Sequence, residues 1–233
     1  MKRLLTATLL LSTLISFGQN VGDHGSLDGV FSFSTVLDMS PIAKNLEKNK
    51  GMSEEEKKAL LEKQYLTKNY SGALIDDFKT TAYLRYNLYN DQMEFVKNDQ
   101  IFYMKKEKGR KVRFTTLNQV YKVYELYGDL EFFLVKAEGE KASLLVKQEM
   151  RFVEPKKAQS NYAVDKKADF KRNKDQWYIA FGDKVVKAPS KKKEVPAVFG
   201  SQSKAIKDYI KKEKLNPKKE ADLAKIVNYY NTL

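Results

Sequence analysis

Between Leu74 and Lys187 the sequence is a run of short segments in which apolar and polar residues alternate, separated by compact polar clusters, and this limits the fold more than any other feature. The clusters are "YND", "KND", "KGR", "YGD", "EGE", "NKD" and "GD". A period of two puts alternate side chains on opposite faces of an extended chain. Gly, Asn and Asp supply the backbone freedom of tight reversals. The pattern predicts strands over Leu74–Thr80, Ala82–Leu88, Met93–Lys97, Ile101–Lys105, Lys111–Thr116, Gln119–Leu126, Leu130–Lys136, Ala142–Val153, Ala168–Arg172, Asp175–Phe181 and Lys184–Lys187. Short strands joined by tight turns make an antiparallel meander, curled into a sandwich or a partly closed barrel. The polar stretch "EPKKAQSNYAVDKK" interrupts it as a long loop.

The stretch "YLRYNLYNDQMEFVKNDQIFYM" shows the two faces in detail. Leu84, Tyr86 and Leu88 share one side, and Tyr83, Arg85, Asn87 and Tyr89 the other. In the next strand Met93, Phe95 and Lys97 oppose Glu94 and Val96. The expectation is a core side, with the tyrosines at its rim and their hydroxyls in water. Tyr83 and Tyr89 are the candidates for an exposed aromatic surface.

Helical signals flank the strands. Ser53 followed by Glu56 forms a capping box, and Leu60, Leu61, Gln64 and Tyr65 follow at helical spacing. Near the C-terminus, Ile206, Tyr209 and Ile210 line one stripe, and Leu223, Ile226, Val227 and Tyr230 another. Asn216 reads as the cap of the second helix, with Pro217 at its first position. The fold class is mainly β with a C-terminal helical hairpin, α+β overall. The chain divides into a signal peptide (1–18), an N-terminal arm with one helix (19–70), an antiparallel β domain (71–189) and a C-terminal helical pair (190–233). Within the arm, "VFSFSTVL" alternates and allows a short strand.

The leader "MKRLLTATLLLSTLISFG" has Lys2 and Arg3, then an apolar run too short to span a membrane, then Ser16 and Gly18 as a cleavage signature. It predicts an exported protein, in the periplasm or outer-membrane-associated, or extracellular, with no transmembrane anchor after cleavage. The chain has no cysteine, which excludes a lipid-anchored terminus and disulfides alike. Lys plus Arg number 43 against 30 Asp plus Glu. Loss of the leader's two positives leaves 41 − 30 = +11. Such a basic exported chain suits an anionic envelope partner: protein, glycan or lipid. Export argues against nucleic acid despite the charge. Lysine predominates over arginine, which fits solvated surfaces better than bidentate phosphate recognition.

Catalytic signatures are sparse. The single histidine, His24, cannot supply a triad or a zinc site alone. Phosphate-binding glycine loops are absent from the sequence. Asp76 and Asp77 are adjacent and would face opposite sides of a strand. Glu138 and Glu140 flank Gly139 in a turn that reads as a solvated hairpin tip. "DHGSLDG" holds Asp23 and Asp28 but does not match a calcium loop. No catalytic residue, metal ligand or cofactor is assigned. The densest basic runs give the candidate anionic-partner patch: Lys105, Lys106, Lys108, Arg110, Lys111, Arg113, Lys191, Lys192 and Lys193. It requires both runs to lie on one sheet edge.

The stretches "LRYNLYNDQMEF", "GALIDDF" and "VPAVF", the ending "DLAKIVNYYNTL" and a leader closing on "SFGQN" resemble uncharacterised exported envelope proteins of Bacteroidota, from about Ser71 to Leu233. The resemblance implies an envelope setting and no particular activity. The expected function is a non-catalytic binding or assembly module of the envelope. The alternatives are a carboxylate-dependent hydrolase of envelope glycan or peptide, with acids converging from several strands, and a carrier with an apolar internal cavity.

Overall fold

The structure, a computed structural model, describes residues 31–32, 52–76, 81–97, 100–158 and 164–233. The leader, His24, the "DHGSLDG" segment, Asp77 and most of "VFSFSTVL" lie outside the described residues. The strands are β1 (Phe31–Ser32), β2 (Ser71–Ile75), β3 (Thr81–Asn87), β4 (Gln92–Lys97), β5 (Gln100–Met104), β6 (Lys111–Phe114), β7 (Gln119–Leu126), β8 (Asp129–Ala137), β9 (Ser143–Lys147), β10 (Met150–Val153), β11 (Asp169–Arg172), β12 (Gln176–Phe181) and β13 (Lys184–Lys187). Eleven form one antiparallel sheet in the order β1-β5-β4-β3-β2-β6-β7-β8-β9-β12-β13, and β10 pairs with β11 as a separate ribbon. The protein is therefore mainly β, as the alternation predicts.

Two details depart from the predicted meander. First, "KGR" does not close a hairpin: β5 lies near the sheet's far edge, while β6 pairs with β2 through Ala73↔Phe114 and Ile75↔Val112. The chain crosses from one to the other over residues 105–110. Arg110 secures the crossing, with its guanidinium on the Glu107 carboxylate (2.6 Å), the Lys105 carbonyl (2.7 Å) and Asp76 (3.4 Å). Gly109 makes the bend at φ 84°, and its N–H donates to the Val123 carbonyl. Second, the predicted strand Ala142–Val153 is two strands. β9 stays in the sheet, and β10 leaves it for β11. Residues 154–158 and 164–167 extend that ribbon, bridged at Lys156↔Lys166, so part of the predicted loop is paired.

The sheet is strongly curled. Tyr86 on β3 meets Tyr121 on β7 at 5.0 Å and Phe132 on β8 at 5.8 Å between ring centroids. In a flat sheet these strands, three and four places apart, would be separated by about 14–19 Å. The concave side holds the main core, including Leu84, Met93, Met104, Val112, Phe114 and Leu134. Tyr86 is fully buried there, contrary to the expectation of a wet hydroxyl, and Tyr121 is buried beside it. Each hydroxyl is satisfied internally, Tyr86 on the Asp91 carboxylate and Tyr121 on Gln148 (2.7 Å).

Past β8 the curl reverses. Tyr124, Phe133, Leu145 and Tyr178 cluster on the opposite face, and β13 packs back on β7. The face left bare on β9 and β12 is covered by the C-terminal segment: a 3-10 turn over Val195–Gln202, then α2 (Ser203–Lys212) and α3 (Glu220–Thr232). Ile206, Ile210, Leu223, Ile226 and Val227 pack there on Leu144 and Ile179. The helix α1 (Glu54–Glu62) begins at the predicted capping box: Glu56 N–H donates to Ser53 Oγ, and Ser53 N–H to the Glu56 carboxylate. α3 starts at Glu220, later than the Asn216 cap predicts. The intervening residues form a turn closed by the Lys219 N–H on the Asn216 carbonyl (2.8 Å).

Candidate functional site

The basic run at Lys105–Arg113 is largely neutralised by the fold. Lys106 is half-buried and ion-paired with Asp91 at 2.6 Å. Arg110 is buried on Glu107 and Asp76. Lys105 lies 3.4 Å from Glu107, Lys108 is 3.2 Å from Asp183, and Lys111 is 2.8 Å from Glu138. The hydrogen bond from Lys111 holds the Glu138 carboxyl below its usual range. Arg113 alone of that run is exposed without an ion pair among the described residues. The second run is separate. Lys108 meets Asp183 at one end of the β12–β13 hairpin, whereas Lys191, Lys192 and Lys193 follow the chain's exit at the other. Lys191 pairs with Glu194 at 3.1 Å, and Lys192 and Lys193 are exposed.

Nor do the two candidate tyrosines share a surface. Tyr83 is 55% exposed on β3, while Tyr89 packs edge-on against Phe170 of β11 at 5.2 Å. Asp76, weighed above as an acid, is a structural clasp: its carboxylate accepts the Lys111 N–H at 2.7 Å.

One acid is set deep. The register Arg85↔Glu94↔Tyr103 aligns three side chains across β3, β4 and β5 on the convex face. Glu94 is fully enclosed, accepting from Asn87 (3.1 Å) and Arg85 (3.2 Å). Arg85 in turn lies 3.4 Å over the Tyr65 ring and 4.7 Å from that of Tyr70. Burial pushes the Glu94 carboxyl up, outweighing its donors Asn87 and Arg85. The Tyr103 hydroxyl and Arg85 Nε are buried here with no hydrogen-bond partner among the described residues. The partners of Glu94 are donors, so the cluster holds one enclosed carboxylate and does not assemble the pair that glycoside hydrolysis requires. A second network lies at the turn between β3 and β4: Lys147 Nζ is 3.1 Å from both Asp91 and Glu131. These are ion pairs without aligned hydrogen bonds. Among the described residues no three His, Cys, Asp or Glu are placed to hold a metal ion.

The feature sequence reasoning passes over is the charge of the helical pair. Residues 191–225 contain eleven lysines and five carboxylates, a net +6 out of the whole chain's +13. All eleven lysines are exposed. Only Lys191 has an ion pair among the described residues. Of the acids, Glu194 is engaged by Lys191 and Glu220 by Lys136, and Asp222 accepts the Asn216 N–H. On α2, Lys204, Lys207 and Lys211 recur at spacings that share the solvent face, with the exposed Asp208 among them, away from the buried Ile206 and Ile210. The run "KDYIKKEKLNPKKE" carries this signal in plain sequence, but only the structure separates free lysines from paired ones.

Fold and surface together define a curled antiparallel β protein with a lysine-faced helical pair docked on its sheet. No family model matches the chain, and neither a curated protein nor a solved structure shows significant similarity to it.

Proposed function

We propose that this is an exported, non-catalytic binding module of the cell envelope that engages an anionic partner through the C-terminal helical pair. One observation carries the reading: most of the positive charge on the β5–β6 crossing is ion-paired with carboxylates of the same chain, while that on residues 191–225 is left facing solvent with a single pair among the described residues. Free lysines next to water retain their long-range field, whereas paired ones cancel locally. The leader supports the envelope setting. The test is retention of the mature protein on isolated envelope fractions as salt is raised. The expected result is binding at low salt that falls steeply by about 0.3 M, where the screening length is only about 5–6 Å. It should be lost in the Lys204→Glu/Lys207→Glu/Lys211→Glu variant and kept when exposed Arg113 is reversed to Glu. Equal loss in both variants would reduce the effect to net charge, and unchanged retention in the triple variant would overturn the reading.

A further inference from the structure

Resting on that reading, we infer that the anionic partner is the phosphate surface of a lipid bilayer, on which α2 lies flat with Lys204, Lys207 and Lys211 downward. Four observations select this class. The three lysines span eight residues, about 10 Å over seven rises of 1.5 Å, and present a row of charges instead of a focused pocket. The charged surface continues beyond α2: Lys214, Lys218 and Lys219 in the connection and Lys225 on α3 are exposed and free of ion pairs among the described residues. The groups are lysines, compact charges on flexible stems, suited to a laterally mobile anionic surface. Arginine would be expected at a fixed bidentate anion. Tyr209 and Tyr229, stacked at 4.0 Å and half-buried, join α2 to α3 and give the surface an amphipathic aromatic pair of the type favoured at membrane interfaces.

The apolar stripes of both helices are consumed by the sheet, since Ile206, Ile210, Leu223, Ile226 and Val227 are all buried. No greasy face remains on α2 for insertion into the acyl region. Binding is therefore peripheral: reversible, electrostatic and dependent on anionic headgroups. Each lysine brought to such a surface strengthens partitioning roughly five-fold, so reversing three lysines weakens it at least about 100-fold.

The experiment is co-sedimentation of the mature protein with phosphatidylcholine vesicles, with and without about a quarter of phosphatidylglycerol, at low and raised salt. Soluble dextran sulfate and an acidic polypeptide serve as non-lipid polyanions. The inference expects sedimentation with phosphatidylglycerol vesicles alone, release by salt, and loss in the Lys204→Glu/Lys207→Glu/Lys211→Glu variant. Circular dichroism and the melting temperature of that variant should match wild type, because all three side chains are exposed. Failure to bind the vesicles, with lysine-dependent binding to either soluble polyanion retained, would overturn the lipid assignment and leave the anionic-partner reading standing. Failure with every anionic probe would overturn both. Tight binding to pure phosphatidylcholine would refute the peripheral, charge-driven mode.

Discussion

At the scale of single residues, Glu94 and Arg85 show how a polar pair can be structural without being favourable. The Glu94 carboxyl lies above its ordinary range because desolvation outweighs Arg85, Asn87 and Tyr65. A raised carboxyl binds its proton more tightly in the folded state. The associated stability is fully present below the unfolded value, about 4.3, and is lost as pH rises through the folded value. Glu94→Gln, which keeps the shape and stays neutral, should match wild type near that acid limit. It should then gain on wild type as pH rises, read from urea midpoints across the range. Removing the cation acts in the opposite sense. Arg85→Ala leaves Glu94 enclosed and unpaired and should cost about 3–5 kcal/mol at neutral pH. That cost should shrink in acid as Glu94 protonates. A wild-type advantage over Glu94→Gln that grows with pH would contradict the assignment.

Among elements, the contact that fixes the helical pair is equally local. Asn231 on α3 accepts the N–H groups of Lys141 and Ala142, each at 2.9 Å, and its amide donates to the Ala142 carbonyl at 2.8 Å. Gly139 makes room for it: a Cβ there would lie 2.3–2.6 Å from the Asn231 side chain. The "EGE" turn is thus a docking socket as well as a hairpin tip. Asn231→Ala leaves two N–H groups of the socket without their acceptor and should lower stability by about 1–3 kcal/mol. Gly139→Ala should also destabilise, and combining the two should cost less than the sum, because alanine at 231 removes the clash. Thermal melts of the singles and the double check this. Strand positions from β3 to β8 and β11 to β13 were legible from the period of two, and α1 from its capping box. The β5–β6 crossing was not, because Arg110 finds Asp76 across a separation of 34 residues. Sequence spacing cannot tell a hairpin turn from a crossing held by such a distant clasp. For the same reason the lysines of Lys105–Arg113 read as a surface patch, although their carboxylates come from as far as Asp183.

For the whole molecule, the consequence is that the proposed binding surface and the structural core share one segment. The helical pair covers Leu144 and Ile179 with one side and carries free lysines on the other. Trp177, the single tryptophan, packs against both the concave core and the cluster under the helices. It therefore reports on their docking. Deleting residues 191–233 would uncover the face of β9 and β12, where Leu144 and Ile179 each contribute about 1.5–3 kcal/mol by burial. We expect the truncated chain to aggregate or to show red-shifted Trp177 emission and a lowered urea midpoint, whereas the lysine reversals on α2 leave emission and midpoint unchanged. A soluble truncated protein with native emission and full stability would mean that the helices are a separable appendage. Binding and folding could then be dissected by deletion. With the helices integral, the surface can be probed only by exchanging its charges, because the same helices complete the hydrophobic core on their other side.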